Sequence, residues 1–442
     1  MKTTSNILAG KLFDPQSRKL VPNQLIVVSR TTGLVVDVST FSPDSDALLD
    51  DPDTVDLRHL IVVPGFVDAH VHFFLHSYAE TSWVDQVTKE SLAERTVRAT
   101  IHARKTLMAG YTAVRDLGTE GAEDADIALR KCLSGPNAMI PGLRYFTANR
   151  AIVTTGSYGP KSSIRLNTEG IEGVIGAEAA DGPADCIRAV RRQIGAGADL
   201  IKIYADYPIR SRLGTLSPRV ATRSIPTFNN EELKALIDTA HAAGLKIAAH
   251  AKTTPAIANL LKLRIDSIEH ASDLHTSPAL IQILADPECS TTYVPTLAAY
   301  YAMAQRSGDI ETDPSWLASS KSFRAVLAMG LGSVSIACGG DTGVFPHGDN
   351  ALEMDLMHRL GAPWEWVLRW GTLGGWECIS PRVVSSEGDN DVPFGCIHPG
   401  WAADIVGLAG DLESDFPKTL RRVEFVMKGG RVYKQDGKEV PM

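Results

Sequence analysis

A His-x-His pair is the first element of this sequence that could do chemistry. His70 and His72 end the segment VDAHVH at positions 67–72. Side chains alternate between the two faces of a strand, so both imidazoles would point the same way, about 6.5 Å apart along the chain. Two imidazoles at this spacing can bind one metal ion together. Taken alone, the pair fits two packed or exposed histidines equally well.

Three further side chains that commonly bind metals stand at the ends of later apolar segments. His250 ends segment 247–250, His270 ends segment 267–270, and Asp341 follows a Cys-Gly-Gly sequence. Any one of them fits a satisfied polar group of the core or rim. Their recurrence at the ends of successive strands is hard to explain by packing, and the ensemble predicts a metal site.

Lys202 lies inside the apolar segment LIKIY at positions 200–204. An unpaired ammonium would be costly to bury there, and burial lowers the pKa of a lysine so that the neutral amine can react. Such an amine can take up CO2 and become a carbamate, whose two oxygens can bridge two cations. A lysine paired with a buried carboxylate is the alternative, and this segment alone favours it.

Two side chains near these residues are candidates for contact with a substrate. Tyr204 follows Lys202 by two residues, on the same strand face, and could donate to the oxyanion of a tetrahedral intermediate. His347 lies in a Pro-His-Gly-Asp-Asn segment after the last strand and could contact substrate. A packing tyrosine at the rim and an ordinary surface loop are the respective alternatives.

The elements that must position these residues alternate between helix and strand. Helix-length stretches separate eight β-rich segments, which are 62–71, 112–115, 142–147, 200–204, 246–249, 266–268, 291–294 and 333–337. Alternation predicts a parallel sheet, and eight units predict an α/β fold of the (β/α)8 TIM barrel type with the site at the carboxyl ends of the strands. An open doubly wound sheet would usually show GxGxxG after its first strand, and this chain has none.

Both ends of the chain are rich in short strands, and neither can bury a core alone. We therefore predict a small β-sandwich domain built from residues 1–61 and 392–442, flanking a catalytic barrel domain of residues 62–391. Two unrelated surface meanders are the alternative.

Composition limits the partners and the compartment. The 442 residues carry a net charge of −8 and no long cluster of lysine and arginine, so nucleic acid is not an expected partner. The sequence contains no uncharged run of about 18 apolar residues, which a membrane-spanning helix would need. The six scattered cysteines predict free thiols. The N-terminal residues have no apolar core long enough for a signal peptide, so a cytoplasmic location is expected. We also expect a homo-oligomer that acts on a small-molecule substrate.

The order His-x-His, Lys, His, His, Asp resembles the binuclear subtype of the amidohydrolase superfamily. Within it, the sequence is most similar to the imidazolonepropionase-like and Xaa-Pro dipeptidase group. The segments PGFVDAH at 64–70, GYTAVRD at 110–116 and GCIHPGWAAD at 395–404 support the resemblance, which covers nearly the whole chain. These motifs are specific to the superfamily but not to one substrate.

The resemblance implies a role for each candidate. His70, His72 and Asp341 would hold the more buried of two divalent ions, His250 and His270 the more exposed one, and carboxylated Lys202 would bridge both. A hydroxide shared by the ions would be the nucleophile, and Asp341 would pass its proton to the leaving amine. Zinc is the first expectation, although manganese or cobalt would also fit the ligands.

One segment departs from the family pattern and leaves the substrate open. Many relatives have a Gly-Gly-His sequence after the third strand, where the histidine reaches the substrate. Here the corresponding segment is 155–159, and Tyr158 is the nearest match. A carboxylate on the substrate would need a fixed cation, for which Arg144, Arg210 and Arg212 are candidates.

The leading hypothesis is hydrolysis of an amide or peptide bond in an N-acyl amino acid or dipeptide, with ochratoxin-type amides among the substrates. Hydrolysis of a cyclic amide or lactone is an alternative, because the same hydroxide attacks any activated carbonyl. A mononuclear, deaminase-like enzyme with a structural Lys202 is another. A catalytically inactive scaffold is disfavoured, since it would not need six ligand-type residues.

Overall fold

The computed structural model describes residues 3–42, 49–134, 138–159, 176–208, 224–383 and 392–441. Its strands are β1 (Thr4–Asp14), β2 (Lys19–Ser29), β3 (Val35–Thr40), β4 (Thr54–Pro64), β5 (Phe66–Val71), β6 (Tyr111–Asp116), β7 (Arg144–Thr147), β8 (Ile152–Val153), β9 (Glu178–Ala179), β10 (Leu200–Tyr204), β11 (Asp206–Tyr207), β12 (Ile225–Pro226), β13 (Lys246–Ala251), β14 (Ser267–His270), β15 (Thr292–Val294), β16 (Ile405–Leu408), β17 (Val423–Lys428), β18 (Arg431–Gln435) and β19 (Lys438–Glu439). Its helices are α1 (Trp83–Lys89), α2 (Leu92–Met108), α3 (Ala125–Leu133), α4 (Gly182–Ala196), α5 (Asn230–Ala242), α6 (Thr254–Lys262), α7 (Pro278–Leu284), α8 (Leu297–Ser307), α9 (Pro314–Leu327), α10 (Ala351–Arg359), α11 (Trp364–Trp370), α12 (Leu373–Ile379) and α13 (Phe416–Arg421).

The two ends of the chain share one sheet of eight strands, in the order β19-β18-β17-β16-β4-β1-β2-β3. The antiparallel pairing of β4 with β16 joins the N-terminal strands to the C-terminal ones. Apolar side chains from both ends, such as Ile7, Ile26 and Phe425, pack in a common core. The ends therefore form a sheet-rich terminal domain whose strands are hydrogen-bonded as one sheet, and its packing as a β-sandwich stays a prediction.

The region between the two ends has a TIM-barrel-like α/β fold. Its parallel strands lie in the orders β5-β6-β7 and β15-β14-β13-β10-β8-β9. Helices α2, α4, α5, α6 and α7 correspond to helix-length stretches of the sequence. Helix α5 begins with a capping box of Asn229 and Glu232, and α4 ends at Gly197 in the left-handed conformation that favours glycine.

Two predicted strands differ from the structure. Segment 62–71 is two strands: β4 runs to Pro64 in the terminal sheet, and β5 begins at Phe66. Gly65 permits the change, because a Cβ there would lie 2.1 Å from Oγ1 of Thr112. Segment 333–337 is not a regular strand and contributes an isolated parallel bridge between Ile336 and Tyr293.

Two sequence-based expectations about covalent links and membranes can be compared with the structure. The six cysteines are free thiols, as expected. Among the described residues, none of the helices combines the length and the apolar character needed to cross a bilayer.

The buried Arg144–Asp404 ion pair connects strand β7 with the residue that precedes strand β16 of the terminal sheet. Nε of Arg144 lies 3.0 Å from Oδ2 of Asp404, and both side chains are inaccessible to solvent. Asp404→Ala should lower the free energy of unfolding by about 3–5 kcal/mol, because it leaves a buried guanidinium without this carboxylate. Urea denaturation measures the change.

The control for this prediction is Asp56→Ala, which removes the partly exposed carboxylate paired with Arg58 at 2.8 Å. A pair that solvent screens contributes at most about 1 kcal/mol. Equal losses in the two variants would show that the Arg144–Asp404 pair does not stabilise the junction.

Candidate metal centre and active site

Strand β5 and the segment after Ile336 bring His70, His72 and Asp341 together. Nε2 of His70 lies 3.5 Å, and Nε2 of His72 3.3 Å, from Oδ1 of Asp341. The three side chains form a group whose ligand atoms all lie within 4.8 Å of one another. Alternation along β5 turns both histidines to one side, as the sequence predicts.

The Nδ1 atoms of both histidines are held by other partners, which leaves Nε2 to face Asp341. Nδ1 of His72 lies 2.8 Å from the carbonyl oxygen of Gly118, and Nδ1 of His70 lies 3.0 Å from Oε2 of Glu269. Burial lowers the pKa of His70 to about 4. Burial acts in the same direction on His72, but the Asp341 carboxylate outweighs it and raises the pKa to about 9. The group therefore concentrates imidazole nitrogens and a carboxylate, the donors that zinc prefers.

Glu269 supports His70 in the candidate site, and sequence reasoning missed it. Its carboxylate accepts hydrogen bonds from Nη2 of Arg115 at 2.8 Å and from Oγ of Ser267 at 2.7 Å, in addition to its contact with His70. Burial opposes ionisation, but Arg115 and His70 hold the pKa of Glu269 at about 2. A carboxylate that fixes the second nitrogen of a ligand histidine is a common support of metal sites. The available signal was a glutamate inside a short buried strand, next to His270.

His250 on β13 and His270 at the end of β14 form a second histidine pair. Their ring centroids lie 4.4 Å apart, and that of His270 lies 5.3 Å from that of His70. Nδ1 of His270 lies 2.7 Å from Oγ1 of Thr296. Nε2 of His250 is buried without a hydrogen-bond partner among the described residues. Its nearest carboxylate oxygen, on Asp206, is 3.8 Å away, too far for a hydrogen bond.

This unpartnered nitrogen is the observation that tests whether a cation fits the site. A buried polar atom without a partner costs free energy, so native structures rarely retain one without a reason. The reason that suits a lone imidazole nitrogen beside another histidine is a metal ligand. The residues present therefore fit a bound cation.

Lys202 lies on β10, the strand that pairs with β13, and is buried. Burial lowers its pKa to about 8, although the charges of Glu269 and Asp341 act in the opposite direction. Its Nζ lies 5.4 Å from the centroid of the Tyr204 ring. The Lys202 side chain is thus buried in an apolar strand, next to the strand that carries His250.

One cavity of about 430 Å³ opens above these residues. His70, His72, His250, His270 and Asp341 all line it. Aromatic side chains form much of the remaining wall, namely Tyr78, Trp83, Tyr158, Tyr204, Tyr207 and Tyr300. The volume lies within the range of small-molecule sites.

Tyr158 and Tyr204, the two predicted substrate contacts on this wall, share a carboxylate that the sequence did not reveal. The hydroxyl of Tyr158 donates to Oε2 of Glu120, and the hydroxyl of Tyr204 lies 3.4 Å from Oε1. Nε1 of Trp83 donates to the same carboxylate at 2.9 Å. Burial raises the pKa of Glu120. Glu120 therefore fixes the orientation of the aromatic wall.

Two other predicted contacts lie elsewhere. His347 is outside the cavity, because its ring stacks on His102 with centroids 4.1 Å apart and its Nε2 donates to the carbonyl of Leu75 at 2.9 Å. Arg144 is committed to Asp404 and cannot serve a substrate carboxylate. Arg210 and Arg212 lie outside the described residues.

The fold and the site together define a class of protein. A TIM-barrel-like domain carries a His-His-Asp group and a second histidine pair at the carboxyl ends of its strands, where barrel enzymes have their active sites. This is the class of barrel hydrolases whose active site has the side chains to hold metal ions.

Comparison with known proteins gives the family. The chain matches the amidohydrolase family over residues 61–433, and it belongs to that family. It is a hydrolase that acts on amide or peptide bonds, and the resemblance inferred from its motifs is confirmed.

Individual relatives agree with this assignment. Ochratoxinase of Aspergillus niger is 26% identical over 400 residues, which cover 85% of this chain and 76% of that protein. A solved structure of a Xaa-Pro dipeptidase with bound methionine in the active site is 27% identical, with a TM-score of 0.78 over 98% of this chain and 100% of that one. The crystal structure of Aspergillus niger ochratoxinase shares the fold, with a TM-score of 0.76 at 23% identity over 98% of this chain and 96% of that one.

Glu269→Gln tests the support of His70. The amide keeps the size of the side chain but loses the charge that pairs with Arg115, so the imidazole should lose its fixed orientation. Metal affinity, measured by competition with a chromogenic chelator, should fall about 10- to 100-fold. Glu288→Gln, at an exposed position, is the control. A folded Glu269→Gln protein with unchanged affinity would contradict the assignment.

Proposed function

We propose that this chain is a binuclear metal-dependent hydrolase that cleaves the amide or peptide bond of an N-acyl amino acid or a dipeptide. The observation that carries the proposal is the unpartnered Nε2 of His250 beside His270, in the same cavity as the His70–His72–Asp341 group. The names of two relatives, an ochratoxinase and a Xaa-Pro dipeptidase with bound methionine, support a substrate of this kind.

In this proposal the parallel strands close into a (β/α)8 barrel. Backbone hydrogen bonds support closure at three joints, Asp199 N to Thr147 O at 2.8 Å, Tyr293 N to Ser335 O at 2.8 Å and His72 N to Thr342 O at 2.9 Å. The division into a β-rich domain of 1–61 and 392–442 and a catalytic domain of 62–391 is part of the proposal. A cytoplasmic location and homo-oligomeric assembly stay predictions.

The residues would share the cations as two sets. His70, His72 and Asp341 would hold one, His250 and His270 the other, and carboxylated Lys202 would bridge them. Divalent cations bound there, zinc first in view of the imidazole donors, would lower the pKa of water and polarise the scissile carbonyl. The burial of Lys202, which favours its neutral amine, supports carbamate formation.

The chain's own side chains would move the protons and orient the substrate. Asp341 is the carboxylate of the His70–His72–Asp341 group and would accept the nucleophile's proton and hand it to the leaving amine. Tyr204 and Tyr158 line the cavity, and their hydroxyls would donate to the oxyanion or contact the substrate. Glu120 would hold both rings in position while the substrate binds.

One observation favours a second candidate. His70, His72 and Asp341 form the tight group by themselves, which also suits a mononuclear, deaminase-like site in which Lys202 is structural. Counting the metal ions distinguishes the two candidates. Cyclic amides and lactones remain alternative substrates of the binuclear site, because they contain the same reacting carbonyl.

The test of the function is a metal-analysed sample assayed against a panel of N-acyl amino acids, dipeptides, cyclic amides and lactones. We expect two metal equivalents per chain and hydrolysis of the first two classes. Lys202→Ala should lose metal and activity together, since the bridging group is gone, and a short carboxylic acid should restore part of both. Lys262→Ala, at an exposed position, is the control.

Different results would reject different parts of the proposal. One metal equivalent in fully active enzyme would favour the mononuclear candidate. Hydrolysis confined to cyclic amides or lactones would replace the substrate class. An unmodified Lys202 in active enzyme, seen by mass spectrometry of the intact protein, would remove the carbamate.

Asp341→Asn separates metal binding from proton transfer. Asparagine keeps the shape and one oxygen of the side chain but cannot accept the proton, so turnover should fall about 10²- to 10⁴-fold while KM changes little. His250→Ala should lower metal occupancy as well as turnover. Turnover, KM and metal content, measured for both variants together, distinguish the loss of a proton acceptor from the loss of a metal ligand. Near-normal turnover of a fully metallated Asp341→Asn protein would assign the proton transfer to another group.

A further inference from the structure

We propose that Lys252, assisted by Arg306, binds a free carboxylate of the substrate, so that the enzyme selects substrates whose C-terminal residue is uncapped. This inference rests on the proposed function and narrows its substrate class. Of the arginines considered from the sequence, Arg144 is paired with Asp404, and Arg210 and Arg212 lie outside the described residues.

Lys252 reaches the cavity because of its position after strand β13. His250 lies on this strand, and Lys252 follows it by two residues, so alternation directs both side chains to the same side. Both residues line the cavity. Lys252 is half-buried, and its Nζ lies 5.3 Å from the centroid of the Tyr300 ring. The ring face stabilises the ammonium at a fixed place without neutralising its charge.

The charged groups of the cavity differ in whether other side chains already bind them. The acidic ones are engaged: Asp341 contacts His70 and His72, and Glu120 accepts hydrogen bonds from aromatic side chains. Lys252, by contrast, has no carboxylate within ion-pair distance in the part of the chain that the structure describes.

Asp206, a carboxylate near Lys252, is also engaged, by main-chain nitrogens and a hydroxyl. Asp206 accepts hydrogen bonds from the backbone nitrogens of Lys252 at 2.9 Å and Thr253 at 2.7 Å, and from the Thr253 hydroxyl at 2.7 Å. A partly desolvated ammonium that faces a binding cavity and lacks an anion of its own is suited to an anion brought by the ligand.

Helix α8 forms the wall beside Lys252 and supplies the second cation. Ala299, Met303 and Arg306 follow one another at three- to four-residue intervals and all line the cavity, so they share one face of the helix. Arg306 is exposed, and across the described residues it has no carboxylate partner. Two cations with apolar groups between them match a C-terminal residue that has a carboxylate and an apolar side chain.

The experiment compares paired substrates that differ only in the charge at the C-terminus. An N-acyl amino acid with an apolar side chain and the corresponding C-terminal amide are hydrolysed by the wild-type holoenzyme and by Lys252→Met. The wild type should prefer the acid. Lys252→Met should raise KM for the acid about 10- to 100-fold, because it removes a charge-assisted hydrogen bond, and should change KM for the amide less than about threefold.

Further variants separate charge from packing. Lys252→Arg should keep most of the preference, since it keeps a cation. Arg306→Met should have a smaller effect, because solvent screens an exposed charge. Lys262→Met, on the exposed end of α6, should leave both substrates unaffected. Calorimetric binding of the free amino acid product gives a readout that does not depend on turnover, and Lys252→Met should weaken it.

The outcomes distinguish this inference from the proposed function. Hydrolysis of neither substrate by metallated wild type would reject the function. Equal hydrolysis of acid and amide by the wild type would overturn the inference and leave the function standing, and this comparison needs no folded variant. An equal rise of KM for both substrates in Lys252→Met would likewise overturn it, because it would indicate a packing role.

Discussion

The site depends on one buried charge network beneath the candidate ligands. Arg115 donates from Nε to the carbonyl of Ala69 at 2.6 Å, from Nη1 to Ser267 at 2.9 Å and from Nη2 to Glu269, which holds His70. Buried ions are tolerated only when their polar atoms are matched. Arg115 lies on β6, and its partners lie on β5 and β14. These hydrogen bonds therefore fix the spacing of three strands at the level of His70.

Above this network the backbone adopts strained conformations at two of the candidate ligands. His270 has a φ of 75° and Asp341 a φ of 61°, in the left-handed region that favours glycine. Such conformations persist where the surroundings determine them, often at functional sites. The main-chain nitrogen of Asp341 donates to the carbonyl of His70 at 2.7 Å, and this hydrogen bond holds Asp341 in place. Two residues before Asp341 the chain packs closely against a neighbouring strand, since a Cβ on Gly339 would lie 2.6 Å from Cγ1 of Val294.

The candidate residues could be predicted to different extents. His70 and His72 were recognisable because a two-residue period sets the direction of side chains within one strand. Glu269 and Glu120 were missed, because a single glutamate in an apolar or loop segment does not reveal its partner. The position of His347 could not be predicted for a related reason. It follows the last barrel segment in the chain, but its ring turns away from the cavity to stack on His102.

The sequence by itself determined the alternation of helices and strands, the residue types of the candidate ligands and their positions at or near strand ends. These properties follow from local periodicity and from residue chemistry, which do not require knowledge of distant contacts. Only the tertiary structure decided which charges are matched and which face the cavity. Arg115 and Glu269 are 154 residues apart, and His70 and Glu269 are 199 residues apart. The cost of burying a charge depends on the atoms that surround it in space, so only the assembled strands reveal that Lys252 has no carboxylate partner among the described residues.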